Sequence, residues 1–231
     1  MGSQVRIKSS SGGGEFDCHL ALPAGGGKAP AVVMASAVHG VDADIQGIAD
    51  AFAAAGYIAA APDLFWRTVP GPLPRGDDRS AQRSQPRLPV IKAGETDMAD
   101  TLAMVRGLPQ HNGKAAAMGF CFGGPYAAIG PKRLGFDAGI GCHSTQMGDF
   151  EHELDGLTKP VCLIWGDADH AAPPELRERY LARAGRQPSL GVHIFPGVEH
   201  GYMMRGNPKA WSEPTYNFSM GKALEILKAL R

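Results

Sequence analysis

An α/β fold, with a mainly parallel twisted sheet and helices on both faces, is what this 231-residue chain predicts. Three observations carry that prediction. Apolar runs alternate with stretches of helical spacing, several of the runs are continuously apolar, and glycine-containing turns follow their carboxyl ends. Alternation of strand and helix places strands in parallel register with crossover helices on the faces, and a continuous apolar run is what a strand covered on both sides requires.

The elements follow in order. Residues 5–8 and 15–22 nearly alternate around the turn 9–14 and predict an antiparallel hairpin at a sheet edge. Residues 30–37 predict a buried strand, and residues 44–55 a helix through Ile45, Ile48, Ala49 and Phe52. The unit repeats with strand 57–61 and helix 95–106, then strand 114–118 and a helix opening at Gly124. Strands 138–142, 161–165 and 191–195 complete the sheet, with amphipathic helices over 175–184 and 216–230. Residues 65–92 are rich in proline and arginine, lack a period, and predict a long loop at the strand ends, a lid or substrate rim. No linker or repeat divides the chain, so one domain over 1–231 is expected.

Composition excludes several classes of function. Lys+Arg and Asp+Glu both number 23, so no charge excess attracts nucleic acid or an anionic membrane. No run approaches the roughly 18 apolar residues of a membrane span, and the amino terminus lacks an apolar signal region, which predicts a cytoplasmic protein. Cys18, Cys121, Cys142 and Cys162 form no C-x-x-C pair and read as free thiols. His, Cys and carboxylate residues do not group at ligand spacings, so no metal and no cofactor is expected. The partner expected is a small-molecule ester or lactone, and the assembly a monomer or homodimer.

Chemistry concentrates in the turns after three strands, where parallel sheets bind ligands. Gly119-Phe120-Cys121-Phe122-Gly123 is a G-x-S-x-G pattern with sulfur in place of oxygen, at a strand-to-helix corner. A nucleophile on so tight an elbow has a strained backbone, and residues two away on either side must lack side chains. Gly166-Asp167-Ala168-Asp169-His170 and Gly197-Val198-Glu199-His200-Gly201 supply an acid and a base. The order nucleophile, acid, histidine is that of α/β-hydrolases. A free thiol is only a few per cent ionised at neutral pH and needs a base. His200 is the expected base and Asp169 its orienting acid, with Asp167 the rival. His39, His143 and His170 are expected to be weaker bases because they lack the strand-end position that follows the acid. Backbone N–H groups of Phe122 and Val38 are the expected oxyanion donors.

With these residues in hand the chain resembles the dienelactone hydrolase family (carboxymethylenebutenolidases) of the α/β-hydrolases. The resemblance runs from Glu15 to the last helix. It is carried by Ala61-Pro62-Asp63-Leu64-Phe65-Trp66-Arg67, Gly119-Phe120-Cys121-Phe122-Gly123-Gly124, Gly166-Asp167-Ala168-Asp169-His170 with Pro173, and Glu199-His200-Gly201-Tyr202. It implies the α/β-hydrolase fold, a Cys121-Asp169-His200 triad without cofactor, and ester or enol-lactone hydrolysis through a thioester. Family members commonly place a glutamate after the first central strand, where this chain has Ala37 beside His39. They also use arginines to hold a substrate carboxylate, for which Arg205 and Arg79 or Arg83 are the candidates. Trp66 and Tyr202 are candidates to line the substrate pocket. The competing readings are the same thiolate acting on a phosphotriester or haloacid, and a catalytically inactive binding module.

Overall fold

The apolar runs pair into one eight-stranded sheet in the computed structural model, which describes residues 2–231. β1 (Ser3–Lys8) and β2 (Glu15–Ala21) form the antiparallel hairpin at one edge. β3 (Ala29–Ala35), β4 (Ile58–Pro62) and β5 (His111–Phe120) follow, then β6 (Ala138–Cys142), β7 (Val161–Gly166) and β8 (Leu190–Phe195). The spatial order is β1-β2-β4-β3-β5-β6-β7-β8, antiparallel at β1/β2 and β2/β4 and parallel elsewhere. Every residue of β3, β4, β6 and β7 is buried, as continuous apolar runs demand.

Two helical layers cover the sheet. α1 (Ala43–Ala54) buries the expected Ile45, Ile48, Ala49 and Phe52 and is capped by Asp42, whose carboxylate accepts the Ile45 N–H. With α6 (Glu213–Ala229) it packs against Val32, Met34, Met118 and Ile164 in one core. α3 (Arg87–Arg106) packs on the other face against Val33, Ala35, Ala117 and Phe122. α5 (Pro174–Ala184) closes a third apolar group around Trp165. No helix among the described residues is long and apolar enough to cross a membrane.

Residues 65–92 are less irregular than expected. They contain α2 (Arg79–Gln82) and the first turn and a half of α3, which begins at Arg87 rather than near Glu95. Pro86 and Pro89 read as breakers in the sequence. They occupy the N-cap and first turn of α3, where the missing N–H would have had no partner in any case. After the elbow the expected helix is short: α4 (Tyr126–Ile129) gives way to a π turn over Gly130–Leu134 that contains Pro131.

The segment leading to the site is fixed by a buried ion pair. Arg67 donates to both oxygens of Asp97 at 2.6 and 3.0 Å, and the Trp66 indole N–H donates to the same carboxylate at 3.1 Å. Asp97 is wholly buried. Arg67→Ala would leave that charge with the indole alone, a loss of roughly 3 kcal/mol; urea unfolding should show it as a lowered midpoint.

Candidate active site

The elbow forms where main chains touch. Cys121 has φ 52°, one of three positive values among non-glycine residues described, the others being His143 and Gln146. Left-handed backbone at a residue with a Cβ persists only when its surroundings over-determine it. A Cβ on Gly119 would lie 2.0 Å from the Gly123 carbonyl oxygen, and one on Gly123 would lie 2.2 Å from that of Ala35. The Cys121 carbonyl accepts hydrogen bonds from Gly124 N–H (3.0 Å), Thr145 N–H (3.0 Å) and Thr145 Oγ1 (3.2 Å). The thiol-bearing residue remains 9 % exposed, in an apolar setting with Ala37, Phe65, Phe122 and Phe150.

Sheet order then assembles the remaining groups. Gly119 is level with Ala35 and Gly141, Cys142 with Ile164, and Gly166 with Phe195, so the loops after β3, β5, β6, β7 and β8 fan across one end. The acid and histidine loops are stitched together: Asp167 N–H donates to the Phe195 carbonyl at 2.9 Å and Ala168 N–H to that of Val198 at 3.2 Å. His200 Nδ1 lies 2.9 and 3.0 Å from the two oxygens of Asp169, which is 2 % exposed. Asp167 instead accepts the Gly197 N–H at 2.6 Å and braces the turn.

Electrostatics follow from this placement. Burial alone would lower the pKa of His200. The hydrogen bond to Asp169 and the contact with Cys121 outweigh that effect and push it up to about 10. With Nδ1 held by Asp169, Nε2 is the nitrogen left to face the thiol. His143 behaves oppositely. Burial, with the neighbouring His200 charge and Arg75 also unfavourable, holds it well below the usual histidine value.

The structure distributes the remaining expected residues differently. Val38 follows the end of β3, and its N–H donates to no carbonyl among the described turn contacts. Phe122 stands in the first turn of a 3-10 helix (Cys121–Gly123), where N–H groups lack intrahelical acceptors. Arg83 is buried as a brace: Nε donates to the Val38 carbonyl at 3.0 Å, and Nη1 to those of Val69 and Gly71 at 2.8 and 2.6 Å. Arg79 pairs with Asp77 at the surface (2.7 Å), and Arg205 lies over Trp211 and Tyr216. Trp66 belongs to the Asp97 cluster. Tyr202 is fully buried and bonded to Ser219 Oγ at 2.9 Å. His39 is half-buried, its carbonyl accepting from Leu73 N–H at 2.9 Å. A surface cavity of about 460 Å³, lined by Leu22, Lys28, Asp50 and Arg231, sits at the amino ends of the strands, opposite this site.

One residue escaped the sequence reading: Thr145, which holds the Cys121 carbonyl. His143, read as a weaker base, stands directly after β6 and ahead of the acid, with its ring centroid 5.0 Å from that of His200. The rule that directed attention to strand ends would have reached Thr145 had the loop after β6 been included.

The dienelactone hydrolase family model matches residues 16–229. The chain belongs to that family. It is therefore an enzyme, a hydrolase of the carboxylic-ester and lactone class. Carboxymethylenebutenolidase 1 of Cupriavidus pinatubonensis is 28 % identical over 231 residues, covering 98 % of this chain and 97 % of the relative. A carboxymethylenebutenolidase from a Pseudomonas species is 26 % identical over 229 residues, covering 96 % and 93 %. Among solved structures, a dienelactone hydrolase-like promiscuous phosphotriesterase from metagenomic libraries superposes with a TM-score of 0.78 at 16 % identity, covering 99 % and 98 %. A dienelactone hydrolase from Anabaena variabilis gives 0.72 at 16 % identity, covering 100 % and 99 %. These superpositions bear on the fold, which is that of the α/β-hydrolases.

Two outcomes are expected. Gly123→Ala should destabilise the fold by about 3 kcal/mol, since backbone and not a flexible side chain opposes the new methyl; chemical denaturation measures it. Imidazole NMR should find His200 cationic well above its usual 6.5 and titrating near 10, and His143 neutral well below 6.5. The signs follow by linkage. The raised His200 contributes stability that is complete below about 6.5 and lost as pH climbs toward 10. The depressed His143 favours unfolding as pH falls below about 6.5, because the unfolded chain then binds a proton that the native ring refuses.

Proposed function

We propose that this enzyme cleaves carboxylic esters or lactones with Cys121 as nucleophile, through a thioester acyl-enzyme. The observation that carries this reading is the His200 ring, held at Nδ1 by both oxygens of buried Asp169 and raised in pKa by its interaction with both Asp169 and Cys121. Attack of the thiolate on the ester carbon forms a C–S bond and moves the carbonyl electron pair onto oxygen, where the Phe122 and Val38 N–H groups receive it. Collapse breaks the ester C–O bond, and the imidazolium gives its proton to the departing alkoxide. Neutral His200 then removes a proton from water, whose oxygen attacks the thioester. The acid is released and the thiolate and imidazolium are restored.

Ala37 bears on how the thiolate arises. A glutamate there could take the thiol proton; alanine cannot, which leaves His200 as the base beside Cys121. The thiolate and imidazolium are therefore a resident pair, present before substrate arrives. The relatives named carboxymethylenebutenolidase suggest enol-lactones among the substrates. Arg79, Arg83 and Arg205 are each engaged with other groups. With a nucleophile only 9 % exposed, short neutral acyl groups suit the site best.

Three measurements test this. Alkylation of Cys121 by iodoacetamide at neutral pH should be fast and should slow at least about 10-fold in His200→Asn; equal rates in both proteins reject the pair. Cys121→Ser should keep the fold and lose turnover by at least about 10²-fold, because the hydroxyl depends more heavily on its base; undiminished hydrolysis would move the nucleophile elsewhere. A panel of p-nitrophenyl esters run beside cis- and trans-dienelactone should favour short neutral acyl chains, and exclusive use of dienelactones would contradict the proposed preference.

A further inference from the structure

We infer that His143 is a positioning residue for His200, a rigid ring that prevents the base from turning away from Cys121. The inference rests on the triad reading above for its turnover arm alone. His143 is fully buried, and neither ring nitrogen has a hydrogen-bond partner. Its backbone is left-handed at φ 40°. Each feature opposes folding: unpartnered buried polar atoms forfeit the hydrogen bonds they would make in water, and such backbone is uncommon outside glycine. A residue carrying both penalties is expected to be held there by its surroundings for a function.

The surroundings identify that function. The ring stands nearly perpendicular to His200 (79°, 5.0 Å between centroids) and to Tyr202 (80°, 5.3 Å), with Phe120 at 6.3 Å. Tyr202 cannot retreat, because its hydroxyl is bonded to Ser219 and it is fully buried. The His143 N–H donates to the Ile164 carbonyl at 2.9 Å, fixing the backbone from which the ring projects. An imidazole tethered only at Nδ1 can still pivot about that bond. His143 closes the inward direction of the pivot, while exposed His170, 5.1 Å away on another side, leaves the outer direction to solvent. Histidine suits this post because, among residues with a flat ring, it is the one enriched at positive φ. It also stays neutral beside the His200 cation, so it does not compete for the proton.

The test reads the Cys121–His200 pair directly, by the pH dependence of Cys121 alkylation with iodoacetamide. The groups facing His200 are Cys121 on the elbow, Asp169 and His170 after β7, and His143 after β6. Tyr202 lies behind His143, and Arg75 of the long segment acts on His143 from a distance. His143→Asn tolerates the left-handed backbone but has no ring. It should move the alkylation profile to higher pH and lower kcat about 10- to 100-fold with KM little changed. His143→Phe restores a ring and should recover most of both. An unaltered profile in His143→Asn overturns the inference, and so does a folded His143→Phe as deficient as the asparagine variant. Should the phenylalanine variant fail to fold, the asparagine profile decides alone. A wild-type enzyme that hydrolyses no ester, yet whose alkylation profile shifts in His143→Asn, would sink the proposed function and leave the positioning role standing.

Discussion

A left-handed backbone at Cys121, enclosed by main chain on nearly every side, is the constraint from which the site is built. β5 arrives from one side and the helical segment leaves on the other, with the end of β3 so close that a methyl on Gly123 would overlap the Ala35 carbonyl. The loop after β6 completes the enclosure through Thr145, whose N–H and hydroxyl both bind the Cys121 carbonyl. Strain of this kind costs about 1–3 kcal/mol and is retained only where packing offers no alternative conformation. Here the packing is that of the whole parallel sheet. Cys121 is consequently fixed in space without any contribution from its own side chain.

A fixed sulfur needs a fixed base, and the sheet supplies that too. β6 lies between β5, which leads into Cys121, and β7, which leads to Asp169. The residue leaving β6 is therefore placed behind the imidazole that reaches over from β8. That residue is His143, buried beside Tyr202 and Phe120. In the mechanism we propose, Asp169 contributes charge and His143 shape, acting on different degrees of freedom of the same ring. Ala37 stands where the family commonly places an acidic group near the thiol, so the proposed mechanism assigns the proton of Cys121 to His200.

Much of this was legible in the sequence, for identifiable reasons. The strands were readable because burial on both faces writes itself as uninterrupted apolar runs, and the edge hairpin because one-sided burial leaves alternation. The meeting of Asp169 and His200 at the end of the sheet that carries Cys121 was readable because each residue follows such a run, in chain order. The start of α3 was not, because Pro86 and Pro89 break a helix interior but are accommodated in a first turn, and local sequence does not distinguish the two. The roles of the arginines were hidden for another reason. A long side chain with five donors can satisfy itself on carbonyls far along the chain, as Arg83 does on Val38, Val69 and Gly71. His143 required the spatial order of β5, β6 and β7, which no local pattern records.

The central claim is that sulfur 121 becomes covalently bound to the acyl group during turnover. The most direct measurement is mass spectrometry of the enzyme quenched in acid during the burst with p-nitrophenyl acetate, followed by peptide mapping. The account predicts an acetyl adduct on the peptide containing Cys121, formed and lost at rates compatible with turnover and absent from Cys121→Ala. An acetyl group carried by another residue, or steady hydrolysis with Cys121 unmodified throughout, would contradict it.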